Sequence, residues 1–588
     1  MNTTVRDRAL AVATVLVGLV AAVAAVFALP EDPRMPITAD AGLAGARSLA
    51  VAALWTLSAL GAGRALVFRV DPGICEGLGV WLHSASLGLV LWGGGGLVLG
   101  ITGLLSTGPI LGLGLLLAGG WLLAPRPKLP QVTTAVATLA GCALAFGLVQ
   151  ALAPAVDTDE LYQHLAIPDR MLRAGGLVGG VLHPDGSRPM LLHLPLAMVL
   201  DTAGSSGVRA LLALVGAGLV ALTAQFADEH GEPGAGLLAV LALMGSWSWL
   251  QELGLAANNL PTALLVLAAA DAALRGRPVL LALSAGGALG IKYTAAGGLV
   301  GAGLAARLTW RQRIAVGVGA ALLVSPWWLR NLAEGLHPLF PYAGWQSQAD
   351  GAAVDTLRFV YLEKYGAGRD LLAMAALPWN AVMTADTGSF RFLGRLSPVM
   401  LPFVAAAVLA GALRPKLRRL LVIAATGALA WATGPHWLRH LLPVLPILVS
   451  AGAASTLALA PPSWRKPLWI IIGTALLMGI PGSIFPAIDR AADRLPVATG
   501  HEAPDAFGPR HHVSWEAAAW ARAHLPEHAR VALFFDWSTS LIGRDTVLGS
   551  VEDHVPSRFW ILTRGPRSLT ALQDVGVTHV LVGRAGFL

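Results

Sequence analysis

The chain has 588 residues, of which 55% are hydrophobic and 13% charged, about half the charged fraction of a soluble globular domain. Its mean hydropathy is +0.65, and it holds many apolar runs near the ~20 residues that one membrane crossing needs. A soluble enzyme and a nucleic-acid-binding module are thereby excluded, and a polytopic helical membrane protein is predicted. The net charge of +7 reads as topology, because Lys and Arg collect in cytoplasmic loops. The 68 glycines suit close helix packing in lipid, where small residues let backbones approach. Cys75 and Cys142 are the only cysteines, so neither a disulfide framework nor a cysteine metal site is available.

In chain order, Arg6 and Arg8 precede an apolar run, Ala9–Leu29, with no convincing cleavage site after it; this reads as an anchor helix. Further apolar runs cover Leu49–Phe68, Leu78–Leu104, Thr107–Ala124 and Val132–Ala153. The basic loop "PRPKLP" (Pro125 to Pro130) is expected inside, so the next crossing delivers Asp157 to the non-cytoplasmic side. Later runs are Arg209–Phe226, Gly234–Leu250, Asn258–Leu274, a short pair around Lys292, Ile314–Leu329, Val399–Leu413, Leu420–Thr433, His440–Ala460 and Leu468–Phe485. Basic clusters at Arg275/Arg277, Arg307/Arg311/Arg313, Arg414–Arg419 and Arg465/Lys466 mark inside loops. Parity holds only if Met190–Leu200, too short for a comfortable span, is interfacial or re-entrant.

The expected architecture is an α-helical polytopic membrane protein of about 13–15 spans with a small C-terminal α/β soluble domain. Residues 1–130 form an N-terminal transmembrane extension. Residues 131–488 form the core, with outer loops 154–190 and 331–397. From Asp489 charge becomes frequent, and residues 489–588 read as an extracytoplasmic α/β domain. There "WEAAAWARAHLPEHARVALFF" predicts a helix, a turn and a strand, and "VTHVLVG" a second strand.

The stretch "VDTDELYQHLAIP" (Val156 to Pro168) gathers Asp157, Asp159, Glu160 and His164 directly after an apolar run. The residues that follow are amphipathic, with Leu161, Leu165, Met171 and Leu172 at near-helical spacing, so the segment should lie along the membrane surface. Carboxylates held at that boundary suit proton abstraction from an acceptor hydroxyl or amine, or the binding of a divalent cation. The bland alternative is an acidic loop after a span.

This segment resembles the first external loop of GT-C class membrane glycosyltransferases, the relatives of protein O-mannosyltransferases and of the aminoarabinose transferases that modify lipid A. Asp159–Glu160 match an acidic pair after the first core helix, and Asp157 adds a D-x-D spacing. "LGIKYTA" (Leu289 to Ala295), "SPWWLRNLAEGLHPLFPY" (Ser325 to Tyr342) and "RHLLPVLPIL" (Arg439 to Leu448, with His440 in place of a Tyr) are similar to later motifs, in order. The resemblance covers roughly residue 132 to the C-terminus. One departure stands out: "QELGLAANNLPTAL" has Asn258 and Asn259 where a second acidic residue is expected, leaving Glu252 as the nearest carboxylate.

The resemblance implies transfer of a sugar from a polyprenyl-phosphate donor to a glycan, lipid or protein acceptor of the envelope, on the non-cytoplasmic side of the inner (plasma) membrane, with inversion. Such a displacement needs a base and positive charge for the departing phosphate. Asp159 is the expected base, with Asp157 or Glu160 orienting it or, with Asp159, holding Mg or Mn. Lys292, Arg330 and Arg439 are the expected phosphate ligands, their plain alternative being interfacial snorkelling or structural pairing. His164 and Glu252 are accessory candidates. A metal site of His164, His183 and His193 is too widely spaced to argue. Trp327, Trp328, Trp345, Trp379 and Trp437 read first as interface residues, and Asp536 as structural. A transporter or flippase lined by Lys292, and a non-catalytic scaffold of envelope assembly, remain as rival readings. The first lacks an evident inverted repeat.

Overall fold

The computed structural model describes residues 38–583 apart from 75–76, 126–131, 180–183, 341–342, 344–365, 387–390, 535, 537 and 551–567. The expected anchor run Ala9–Leu29, Cys75, His183 and Trp345 lie outside the described residues. Part of the expected outer loop 331–397 does so too.

Among the described residues, five helices are long and apolar enough to cross a bilayer unaided: Ala39–Val70, Gly77–Ile101, Thr134–Leu152, His193–His230 and Lys466–Ala498. Met400–Leu413 and Pro415–Thr433 form a bent pair turning by 112°, and five apolar helices of 10–17 residues complete the set. The chain is therefore a multi-pass helical membrane protein, but several apolar runs are subdivided. The run Gly234–Leu250, for example, breaks at Gly245 and at Ser246, whose backbone is extended. The run around Lys292 breaks there, because Lys292 leaves the helix at φ −155°.

Of the segment Met190–Leu200, residues 193–200 lie in the first leg of the helix His193–His230, which kinks at Gly204 (φ 69°, ψ −170°), and residues 190–192 precede it. Eleven residues at 1.5 Å each lift that leg about 16 Å, about half a hydrocarbon core.

The first two described helices pack into the core. A Cβ on Gly63 would lie 1.9 Å from the Ser84 carbonyl oxygen, and one on Gly88 2.2 Å from that of Ala59; only glycine permits this approach. The rings of Trp55 and Trp92 stack at 4.9 Å, and the Trp92 indole N–H reaches Met198 Sδ at 3.1 Å. Further along the same bundle, buried Asp271 accepts from His83 at 2.9 Å, His230 at 2.6 Å and Arg275 at 2.9 Å. A charge in the apolar interior is tolerated only with such saturation.

The helix Lys466–Ala498 contains a π-helical turn at Ile480–Ile484 and continues past Asp489, so composition changes before the helix ends. Beyond it come the helices Pro504–His511 and Trp515–His524 and three parallel strands: β1 (Arg530–Phe534), β2 (Asp545–Ser550) and β3 (His579–Val582), in the order β2–β1–β3. The predicted helix–turn–strand and the second strand both fall within this small α/β unit.

Candidate functional site

The helix Thr134–Leu152 ends at Ala153, whose backbone turns extended before Pro154. Asp157 then folds the chain on itself. Its Oδ1 accepts the Asp159 N–H at 3.1 Å, and its carbonyl accepts the Leu161 N–H at 3.1 Å. This is the Asx turn that short acidic side chains favour, and it accounts for the D-x-D spacing without invoking a ligand. Glu160–His164 follows as a single π-helical turn, closed by Leu165 N–H to the Glu160 carbonyl at 2.8 Å. Such turns are rare and frequent at functional sites.

The two adjacent carboxylates point apart, as neighbouring residues of a helix do. Asp159 stays about one-third exposed and forms an ion pair with Arg439, 280 positions away. The Arg439 guanidinium lies over the Trp437 ring at 4.3 Å, a cation–π contact that fixes its direction. Glu160 is 1% exposed. It pairs with buried Arg209 at 2.9 Å and accepts the Ala256 N–H at 2.6 Å. The expectation that grouped Glu160 with the reactive carboxylates is corrected on that ground: a buried carboxylate already engaged by a guanidinium and an amide has no access to an acceptor. Glu160 joins the loop to the bundle.

Lys292 donates to Asn259 Oδ1 at 2.6 Å, and Asn259 Nδ2 donates to Glu252 Oε1 at 3.0 Å. The position where an acid was expected thus holds an amide that accepts from a cation on one side and donates to a carboxylate on the other, which Asp cannot do. Burial, and next the approach of Arg439, lowers Lys292 to about 7, while Glu252 and Asp159 act against that fall. Burial raises Glu252 to about 7, opposed by the Asn259 hydrogen bond and the charge of Lys292. Asp159, Arg439, Lys292 and Glu252 therefore form one electrostatic group, assembled from four separate stretches of sequence.

Arg330 belongs to a neighbouring structure. It donates to the Arg188 carbonyl and to Asn331 Oδ1, each at 3.1 Å, and its guanidinium lies over Trp327 at 5.5 Å. It fastens the segment before the helix His193–His230 rather than reaching the Asp159–Arg439 pair. Trp328 donates to the Tyr293 hydroxyl at 3.0 Å, joining two of the motifs. Trp379 is 55% exposed on a short apolar helix, as an interface residue should be. Asp536 accepts from Ser514 and from the hydroxyl and N–H of Ser538, a structural role.

His164 is buried and stacks on His193, Nδ1 to Nε2 at 3.2 Å. Burial, then its imidazole neighbour, pushes it well below the ordinary histidine range, so it is neutral at pH 7 and sits behind the loop. Around Asp157 and Asp159 the donor set does not fit a resident cation. One Asp157 oxygen caps a turn, Asp159 is paired with a guanidinium, and no third acidic or imidazole group joins them among the described residues.

Two residues with no functional expectation from the sequence also belong here. Arg209 is a lone Arg opening an apolar run, a visible signal. Tyr162 is 2% exposed and packs against Ala518, Ala521, Val531, Leu533 and Ile542. The C-terminal unit therefore sits directly on the π turn, and Arg170 adds an ion pair to Asp545 at 3.6 Å.

No family model matches the chain, and no curated protein does. Among solved structures it is similar to ArnT from Cupriavidus metallidurans bound to undecaprenyl phosphate, with 17% identity and a TM-score of 0.47 over 78% of this chain and 94% of that one. It is likewise similar to ArnT from the same organism in the apo state, with 15% identity and a TM-score of 0.45 over 77% of this chain and 93% of that one.

Proposed function

We propose that this protein is a membrane glycosyltransferase of the GT-C kind. It takes a sugar from a polyprenyl-phosphate donor and transfers it, with inversion, to an envelope acceptor on the non-cytoplasmic face of the inner membrane. The observation that carries the reading is the meeting of Asp159 with Arg439, beside Lys292. Base and phosphate ligands must lie together for a single displacement, and sequence distance gives no reason for these three to do so.

In the resting site Arg439 holds Asp159 in place. A donor phosphate offers Arg439 a bidentate partner of the kind guanidinium prefers, and Lys292 a second oxygen. Asp159, released, accepts the proton of the acceptor hydroxyl as that oxygen bonds to the anomeric carbon from the face opposite the phosphate. The carbon–oxygen bond to phosphate breaks, and its electron pair leaves on the phosphate, whose charge Arg439 and Lys292 neutralise. No step is routed through a metal. Asn259 keeps Lys292 aimed.

The test uses protein in nanodiscs with radiolabelled polyprenyl-phosphate sugars and crude envelope acceptor, comparing wild type with Asp159→Asn. Wild-type transfer that falls about 10²–10⁴-fold in the variant, the usual weight of a general base, supports the reading. Undiminished transfer by Asp159→Asn removes Asp159 as base. Absence of donor binding by wild type favours a transporter or scaffold.

A further inference from the structure

Two arginines near the acidic loop have no part in the reaction above. Arg490 and Arg494 lie one helical turn apart on Phe485–Ala498, the last stretch of the long C-terminal helix. That stretch is seated against the loop by Val497, which clusters with Ala153, Phe507 and Val156. Arg494 is 6% exposed, so it does not face lipid. Arg490 lies over the Trp247 ring at 6.0 Å. Neither arginine makes a hydrogen bond or an ion pair among the described residues, and both Nε groups are buried without a partner. Arg209, across the same region, uses Nε on Glu160 and Nη1 on the Ala153 carbonyl but leaves Nη2 buried and unpartnered.

Asp157, Glu160 and Glu252 lie within electrostatic reach of Arg490, and Glu160 and Asp493 of Arg494. That proximity explains why the charges are tolerated. It leaves the N–H groups unsatisfied; of the two acids on the same helix, Asp493 is taken by His511 at 3.1 Å, and Asp489 forms no ion pair with either arginine among the described residues. Buried guanidinium donors without acceptors are costly and rare. Several together, from two elements, make a cradle for an anion with more than one oxygen, because the guanidinium fork matches phosphate and carboxylate geometry.

We infer that Arg490, Arg494 and the free edge of Arg209 form a second oxyanion site, distinct from the Lys292–Arg439 group, that takes a phosphate or carboxylate group beside Asp157. Resting on the transferase reading, it lies on the Asp157 side of the loop and receives the anionic part of the acceptor. The same chemistry is offered by a bilayer phospholipid headgroup.

Binding is measured apart from sugar transfer, so failure here and failure of the transferase reading are separate results. Isothermal titration of the full chain with inorganic phosphate is made in phosphate-free maltoside micelles and in phosphatidylglycerol nanodiscs. In micelles, Lys292→Gln, which weakens the donor-phosphate site, still binds phosphate saturably, while the same background carrying Arg490→Gln/Arg494→Gln binds at least about tenfold more weakly. Arg490→Lys/Arg494→Lys keeps the charge, loses the fork, and weakens binding severalfold; it serves if the Gln pair does not fold. Binding that persists in the discs assigns the site to an incoming substrate, and binding suppressed there assigns it to a headgroup. Equal binding by Lys292→Gln with and without either pair of arginine changes, or no saturable binding by Lys292→Gln, overturns the site.

Discussion

Asp159 and Arg439, 280 positions apart, form an ion pair in which both side chains keep partial solvent access. Exposed pairs of this kind contribute only about 0–1 kcal/mol, so the contact holds position without locking it. The two partners then separate kinetically. Arg439→Gln raises the donor KM by about tenfold or more with a smaller change in kcat, because it removes a phosphate ligand. Asp159→Asn lowers kcat with little change in donor KM, because it removes a proton acceptor. Steady-state kinetics on both variants test this, and identical effects on the two parameters contradict the division of roles.

Asn259 predicts an unusual ranking. Asn259→Asp sets a carboxylate against the Glu252 carboxylate and removes the donor that Glu252 now uses, 3.0 Å away. Asn259→Ala removes both hydrogen bonds but adds no charge. The Asp variant is therefore expected to lose more donor affinity at high pH, where Glu252 is ionised, than at low pH. The Ala variant loses a similar amount at both. A donor-binding titration at two pH values decides it.

Lys292 gives a direct pH dependence. Burial lowers it to about 7, so it is charged below that pH and neutral above. Donor phosphate affinity is accordingly full on the acid side of neutrality and falls as pH rises through it. Lys292→Arg keeps its charge throughout and should flatten the fall. Glu252, raised to about 7 by burial, titrates in the same window. The Arg variant separates them, since a fall that survives it belongs to Glu252.

Glu160 predicts a loss of folding rather than of chemistry. Replacing it with Gln leaves Arg209 buried opposite a neutral amide, and breaking one side of a buried pair costs about 3–5 kcal/mol. Thermal unfolding in detergent should show a clear drop in midpoint. Replacing both partners, with Arg209→Met and Glu160→Met, should recover part of it. An unchanged midpoint in Glu160→Gln means the loop is held elsewhere.

How much of this was legible beforehand follows from what each residue answers to. Asp159, Lys292 and Arg439 were readable because charges at the edges of apolar runs are rare and need a reason. The helical class and the small α/β unit followed from hydropathy and from alternating apolar residues. The different surroundings of Glu160 and Asp159 do not show in the sequence, because their partners Arg209, Ala256 and Arg439 lie far along the chain. Arg330 looks equivalent to Arg439 in the sequence, since both stand at the edge of an apolar run. Only the packing of residues 188–190 directs Arg330 elsewhere. Asn259 read as a missing acid until its two partners, seven and thirty-three positions away, showed why an amide stands there.

Tyr162 couples the soluble unit to the reactive loop. Its ring is buried among residues of the helix Trp515–His524, of β1 and of the short helix Thr539–Ile542, three residues along the π turn from Asp159. Tyr162→Ala removes the aromatic side chain that seats the unit, a loss of about 3–5 kcal/mol for a buried ring, while leaving Asp159, Arg439 and Lys292 in the chain. The expected outcome is faster proteolytic release of the C-terminal unit together with a lower kcat, since the base is then held by a looser turn. Tyr162→Phe keeps the ring and should retain most activity. Limited proteolysis and turnover are measured on both variants. A Tyr162→Ala protein that releases the unit yet turns over normally would show that the α/β unit caps the site without positioning it.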